Sequence, residues 1–427
     1  MSEIIKQARI AAEQKNWLEV YNYLRQLPLE KREKSTGEIS ELAIAQGVEL
    51  AIQVLQEGDF QQRWDVAKLL PKFGQAIVVP LLAILEDEEA DPEVRWFAGR
   101  TLGKYDFPEV IIALVKLIQN PDSDAELATM AAEALANLGS SAIADLSKLL
   151  IPNLANDTPI VEEKTRHLAV KALAQIRRCE AIEPLLKVVS DRHPKIRAAA
   201  IEALSSFHSP EITSTLITAL QDPATAVRKE AVIGLSFRTT DSAEFDLVKQ
   251  IKPLLNDLSI EVCRQAAIAL ARFRTKEAAD ALFRVLKSPA TPLVLKTDLV
   301  RALAWIETPA SLDYLQEGLR WSAAEVCRQI IILLGRLKSA ELKPKATQIL
   351  IEFLNSGQNA TFEATIKQAI ATALGQLGQA EALDELEKLA ADSERVVQLH
   401  AIAALKKLSL SEPESPQAQE QRAKVSG

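Results

Sequence analysis

Apolar residues recur along this chain on a helical period set inside a longer one. A leucine returns at Leu70, Leu102, Leu135, Leu173, Leu204, Leu235, Leu270, Leu303, Leu334, Leu374 and Leu405, at intervals of 31–40 residues. Four positions before it stand Ala98, Ala131, Ala169, Ala200, Ala231, Ala266 and Ala401, with larger apolar residues in the other repeats. Eight before it come Val94, Leu127, Ile196, Val227, Val262, Leu295, Val326, Ile366 and Val397. Three after it the column is again apolar, from Phe73 and Tyr105 to Leu377 and Leu408. Offsets of −8, −4, 0 and +3 fall on one stripe of an α-helix. The alanines let neighbouring helices approach to about 8–10 Å.

A second amphipathic segment precedes each of these helices, as in Ala181 to Val189 and Ile212 to Leu220. Polar turns separate the two: Asp191-Arg192-His193-Pro194, Gln221-Asp222-Pro223, and Asn120-Pro121-Asp122. Pro and Asp stop one helix and start the next. The unit is helix, tight turn, helix. Stacked units of this kind form an α-solenoid. The predicted architecture is all-α: about eleven helical hairpins over residues 37–408, wound as a right-handed superhelix. Residues 1–36 read as an N-terminal helical hairpin and cap, Ile4 to Glu13 and Trp17 to Leu27, followed by the linker Lys31-Arg32-Glu33-Lys34. Residues 409–427 read as a disordered tail rich in Ser, Glu, Gln and Pro.

Composition agrees. The 427 residues are 48% hydrophobic but only 5% aromatic, with 14 Gly and 19 Pro, too few turn and strand formers for a β-rich fold. A formal charge of −8 argues against a uniform polyanion binder. No uninterrupted apolar run reaches the roughly 18 residues that span a bilayer. Three scattered cysteines (Cys179, Cys263 and Cys327) suit a reducing, cytoplasmic compartment rather than a disulfide framework.

One motif is more specific. A turn Asp is followed six residues later by Arg behind an aliphatic residue, in Asp191 with Ile196-Arg197 and Asp222 with Val227-Arg228. This resembles the HEAT repeat of the armadillo-like superfamily, and is similar to the short HEAT-like repeats of the phycobilisome lyase family, over about residues 37–408. The resemblance implies a ladder of Asp–Arg contacts between neighbouring units. Its Arg column is Arg63, Arg95, Arg166, Arg197 and Arg228. The equivalent later positions hold Cys263, Lys296, Cys327, Lys367 and Gln398, so the charge ladder is expected to weaken towards the C-terminus. The resemblance also implies that the second helices line a concave side.

Catalytic constellations are absent: there is no phosphate-binding Gly loop, no Gly-x-Ser-x-Gly and no Cys-x-x-Cys. Histidines 167, 193, 208 and 400 are dispersed, without metal-ligand spacing. Cys263 and Cys327 lie two units apart, too far to pair, and read as small packing residues; a thiol that handles a cofactor is the alternative. The chemistry instead lies on the outward offsets −6, −2 and +2. At −6 and −2 the charged residues are Lys68, Arg100, Lys171, Lys229, Arg264, Arg301 and Arg328, against Glu133 and Glu202. At +2 stand Lys72, Lys104, Arg272, Arg336 and Lys407. Cations near helix C-termini answer the helix dipole, which accounts for +2 but not for the mid-helix columns. Trp64 and Trp96 hold −6 in consecutive repeats, beside Lys68 and Arg100. Aromatics among cations are typical of binding hot spots. They could equally fold over the N-terminal helices and be partly buried. Trp305, with Trp321 near Arg301, Arg320 and Arg328, forms a second area. Residues 151–350 hold 28 basic and 23 acidic residues, and residues 51–150 hold 8 and 16, so the central units are the better place for an acidic partner.

These features predict a non-catalytic protein-interaction scaffold or assembly factor that holds an acidic protein partner on a basic surface. The predicted partner-binding set is Trp64, Lys68, Trp96, Arg100, Lys171, Lys229, Arg264, Arg301, Trp305 and Arg328, with no catalytic or metal residues and no cofactor. The lyase resemblance implies an alternative, a bilin lyase or tetrapyrrole-handling chaperone whose cations hold propionates. A nucleic-acid-binding HEAT-like protein is the third reading, and lacks the expected positive charge.

Overall fold

The structure, a computed structural model, describes residues 2–27, 41–120, 124–150 and 163–411. The linker at 31–34, the stretch beyond Ser411 and part of the turn at 120–122 lie outside them. Among the described residues every regular element is helical. The chain divides into two compact units, Met1–His208 and Ser209–Gly427.

The first unit opens with the hairpin Ser2–Glu13 and Trp17–Arg25. Asn16 caps its second helix by accepting the Glu19 backbone N–H at 3.3 Å. Ile5, Ala8, Ala11, Trp17, Val20 and Leu24 are buried between the two helices and the following Glu41–Glu57. Five repeat hairpins follow, their second helices at Phe60–Leu69, Pro92–Leu102, Ala125–Leu138, Glu163–Ile176 and Pro194–Leu204. The second unit holds six more, with second helices at Thr225–Ser236, Ile260–Phe273, Leu293–Ile306, Ala324–Gly335, Ala364–Leu377 and Arg395–Ser411. Within each unit every second helix packs on the next. Among the described residues the result is the expected all-α solenoid packing within each unit, five hairpins in the first and six in the second.

The buried stripe follows the sequence register. Every residue of the −4 column, from Val66 to Ala401, is 0% exposed, as are the anchor leucines from Leu70 to Leu374. Leu405, in the last hairpin, is half-buried. The +3 column carries one departure, Arg238, which is fully buried beneath Thr225–Ser236. Successive helices approach closely at +1 against the −1 residue of the next repeat, where three of the +1 residues are glycines. A Cβ on Gly103 would lie 2.8 Å from Ala134, on Gly335 2.7 Å from Ala373, and on Gly375 2.6 Å from Ala404.

The ladder is present, and each rung depends on reach. Arg228 donates to the carbonyl of its own turn residue Asp222 (2.9 Å) and, through two nitrogens, to the carboxylate of Asp257 in the next turn (2.7 and 2.8 Å). Arg166 reaches Asp191 at 3.4 Å. Arg63 reaches Asp91 at 2.9 Å and also Glu93. Shorter side chains keep only the local bond: Cys263 to the Asp257 carbonyl (3.2 Å) and Gln398 to that of Asp392 (2.6 Å). Lys367 keeps the long bond, to Asp392 at 2.7 Å. The C-terminal half is therefore thinned at Cys263, Cys327 and Gln398 and retains a charged rung at Lys367. Burial pushes the Cys327 thiol up to about 11 and raises Cys263 in the same direction. Both are buried free cysteines, placed as packing groups.

Phe60–Glu86 is long and apolar enough, by length and composition alone, to cross a membrane. It is not one helix: Phe60–Leu69 and Val78–Glu86 are separated by a turn through Pro71 and Gly74 (φ 64°). Its apolar residues Val66, Leu70, Phe73, Ile77, Leu81 and Leu85 are buried in the first two repeats.

Candidate functional site

The outward columns are outward. Lys68, Arg100, Lys171, Arg301 and Trp305 are exposed, and Trp64, Trp96, Lys229, Arg264 and Arg328 are half-buried. The structure separates these residues by what answers their charge. Arg264 Nε lies 2.7 Å from Asp298, and Arg301 lies 3.2 Å from the same carboxylate. Arg328 pairs with Glu325 at 2.8 Å, Lys229 with Glu230 at 3.3 Å and Lys68 with Asp65 at 3.3 Å. These acids occupy offsets −5 and −9, just outside the outward columns, so the excess of base over acid is smaller in space than along those columns. Arg100 and Lys171 alone of the predicted set's cations have no carboxylate partner among the described residues.

Arg100 stands between two indoles. Its Cζ lies 4.9 Å from the Trp64 ring centroid and 5.0 Å from that of Trp96. The register dictates this: Trp96 is one turn earlier on the same helix, and Trp64 is the same column of the preceding repeat. Lys68 Nζ covers Trp64 at 5.4 Å. The indoles are held by aromatics that the register did not single out. Phe97, fully buried, meets Trp64 edge-on at 6.1 Å and Trp96 at 5.2 Å. Phe60, 58% exposed, stacks on Trp64 at 6.3 Å. The tryptophans are thus half-buried against Phe60 and Phe97 of their own repeats. Phe60 was legible as an aromatic one turn before Trp64, and Phe97 as the residue beside Trp96.

Beyond Phe60 and Trp96 lies a cavity of about 540 Å³ edged by Asp91, Glu93, Asp124 and Glu126. The two aspartates cap helix N-termini: Asp91 accepts from the Glu93 N–H at 2.9 Å and Asp124 from that of Glu126 at 2.7 Å. The Glu93 backbone N–H, and then Arg63, hold Asp91 below the usual carboxylate range.

In the second area no ring contact joins Trp305 to Trp321 among the described residues. Trp321 turns to Phe283 (6.5 Å) and Lys296 (6.0 Å), beside a stacked Phe283–Tyr314 pair at 4.4 Å. Trp305 is 51% exposed and makes no ring contact among the described residues. Lys171 instead lies in a groove of about 640 Å³ with His167, Gln175, Arg177, Glu202 and Ser206. His167 holds the −6 column that carries the tryptophans. Among the described residues no group of three or more His, Cys, Asp or Glu could hold a metal ion.

Comparison with known proteins follows the same repeat. The family model for HEAT repeats matches residues 78–161, 160–236, 182–251, 248–335 and 319–406, well over half of the chain. A deoxyhypusine hydroxylase of Drosophila melanogaster is 25% identical over 253 residues, 56% of this chain and 74% of that protein. A mutant of Kap121p superposes with a TM-score of 0.54 at 13% identity, over 95% of this chain and 51% of that one. Kap121p bound to Ste12p gives 0.50 at 15%, over 92% and 48%. The chain spans about half the length of Kap121p, and at these identities the two share a fold. The tetrapyrrole reading gains no support from these matches. The chain belongs to the HEAT-repeat family.

Proposed function

We propose that this protein is a non-catalytic protein-binding scaffold, and that its N-terminal unit holds an acidic segment of a protein partner on the second-helix face. The observation that carries this is Arg100, set between Trp64 and Trp96 with Lys68 alongside and no carboxylate of its own. An indole pair orients a guanidinium without neutralising it, so its charge is left for a carboxylate from outside. Rigid aromatics around a cation are also what interface hot spots are made of. Kap121p, which shares the fold, is described bound to another protein. The hydroxylase activity of the Drosophila relative is not carried over. That name is said of the relative, and the described residues of this chain offer no group of three or more His, Cys, Asp or Glu that could hold a metal ion.

The test is affinity purification with mass spectrometry. Trp64→Ala/Trp96→Ala and Arg100→Glu are expected to lose the captured protein, and its binding segment is expected to be acidic. Arg264→Glu/Arg301→Glu/Arg328→Glu is expected to bind more weakly by a smaller factor, because internal acids already answer those cations. An unchanged capture by the Trp64, Trp96 and Arg100 variants overturns the reading.

A further inference from the structure

Lys171, the other cation of the predicted set with no acid partner among the described residues, lies away from the aromatic surface in a groove between Glu163–Ile176 and Pro194–Leu204. The groove exists because Ala174, Ala199 and Ala203 line it where longer side chains would fill it. Arg177 stands just past the helix end in the left-handed region (φ 51°). It also has no ion pair among the described residues. Part of its charge answers the helix C-terminus; that of Lys171, more than a turn earlier, does not. Glu202 is the single acid on the walls. At neutral pH Lys171, Arg177 and Glu202 sum to one positive charge. A phosphate dianion placed there leaves one negative charge over, and His167 is the wall residue able to answer it by taking up a proton. Its Nδ1 is buried with no hydrogen-bond partner. Burial and then Lys171 hold the empty-groove imidazole below its usual range, with Lys195 acting the same way and Glu163 and Glu202 opposing.

We propose that this groove binds a phosphate monoester carried on a peptide segment, with Lys171 and Arg177 as the cationic contacts, Gln175 as a neutral donor, and His167 as the group protonated on binding. This rests on the reading of the N-terminal unit as a surface for acidic segments, and names one chemical group that it takes. A carboxylate leaves no surplus charge and draws no proton.

The experiment uses the full chain and a short Gly-Ser peptide in three forms: with one phosphoserine, with Asp at that position, and unmodified. Titration calorimetry is expected to show the phosphoserine form binding at least tenfold tighter than the other two. Lys171→Ala and Arg177→Ala are expected to lower its affinity at least tenfold, and Glu202→Gln to raise it. Phosphate itself loses charge as pH falls through about 6. The His167 effect is therefore read as the difference between wild type and His167→Gln: between pH 7.5 and 6 the wild type gains affinity relative to the variant. Circular dichroism confirms that each variant is folded. Equal binding of the Asp and phosphoserine forms, or indifference to Lys171 and Arg177, overturns the proposal. Trp64→Ala/Trp96→Ala separates it from the reading beneath it. Phosphopeptide binding that fails while partner capture still depends on those tryptophans removes the groove alone. Phosphopeptide binding that holds while capture ignores them removes the aromatic surface alone.

Discussion

Leu235 is fully buried at the anchor of a mid-array repeat, with Ala231 below it and Val227 beyond, both essentially without exposure. Truncation there removes transfer energy and leaves a cavity between helices that cannot close fully, so Leu235→Ala should cost about 2–5 kcal/mol in chemical denaturation. Rung residues make a different prediction. The two bonds from Arg228 hold the Asp257 carboxyl below the usual range. A carboxyl whose folded pKa is depressed contributes stability that is present above its unfolded pKa of about 3.9 and lost as pH falls through the folded value. Arg228→Ala should therefore cost about 2 kcal/mol at pH 7 and flatten the acid side of the stability curve. An equally steep loss below pH 4 in the variant, by denaturant midpoint, would show that the rung does not carry the effect. Much of this scale was legible in the sequence. The anchor, −4 and −8 columns name the core without exception in mid-array. Arg238 was not legible, because a basic residue in an apolar column reads as exposed, whereas this one is buried with the charge of Asp241 three residues further on.

At the scale of the element, helices were legible to within a few residues, because stripe, turn Asp and Pro all mark the same boundaries. The close contacts between helices were less so. The −4 alanines suggest where neighbours approach, yet helices also come close at +1 on −1, where Gly335 and Gly375 face Ala373 and Ala404. Two small columns must coincide there, and a single repeat shows only one. Gly335→Ala adds a Cβ 2.7 Å from both the Cα and Cβ of Ala373, so the backbone of Ala364–Leu377 has to move. Overpacking of this kind costs about 1–3 kcal/mol. Alanine gains up to about 1 kcal/mol of helix propensity in a helix interior, and less at the last residue of Ala324–Gly335. The net expectation is destabilisation, read as a lower denaturant midpoint; a raised midpoint would mean that the neighbouring helix yields freely. Counting charge column by column met a related limit. Asp65, Glu230 and Asp298 sit one residue outside the −6 and −2 columns, and only the helix surface reveals that they answer Lys68, Lys229, Arg264 and Arg301.

Across the whole molecule the repeat has a consequence that no single hairpin shows. Each hairpin buries its stripe chiefly against its sequence neighbours, so stability is close to a sum of local terms and nearest-neighbour terms. The chain's division into two compact units, Met1–His208 and Ser209–Gly427, sharpens this expectation. A defect in one repeat should lower the opening energy of that repeat and its neighbours, and fade with distance along the array. Leu235→Ala provides the test, since Leu235 lies in the first repeat of the second unit. Native-state hydrogen exchange should show lost amide protection across Pro210–Ala219, Thr225–Ser236 and Ile260–Phe273. Protection in Ala125–Leu138, three repeats earlier, should stay within a factor of a few of wild type. The proposed binding face lies at Phe60–Leu69 and Pro92–Leu102, so capture through Trp64 and Trp96 should survive the substitution even as global stability falls. A uniform loss of protection over both units would mean that the array opens as one cooperative body. Partner binding would then depend on every core leucine rather than on the face alone.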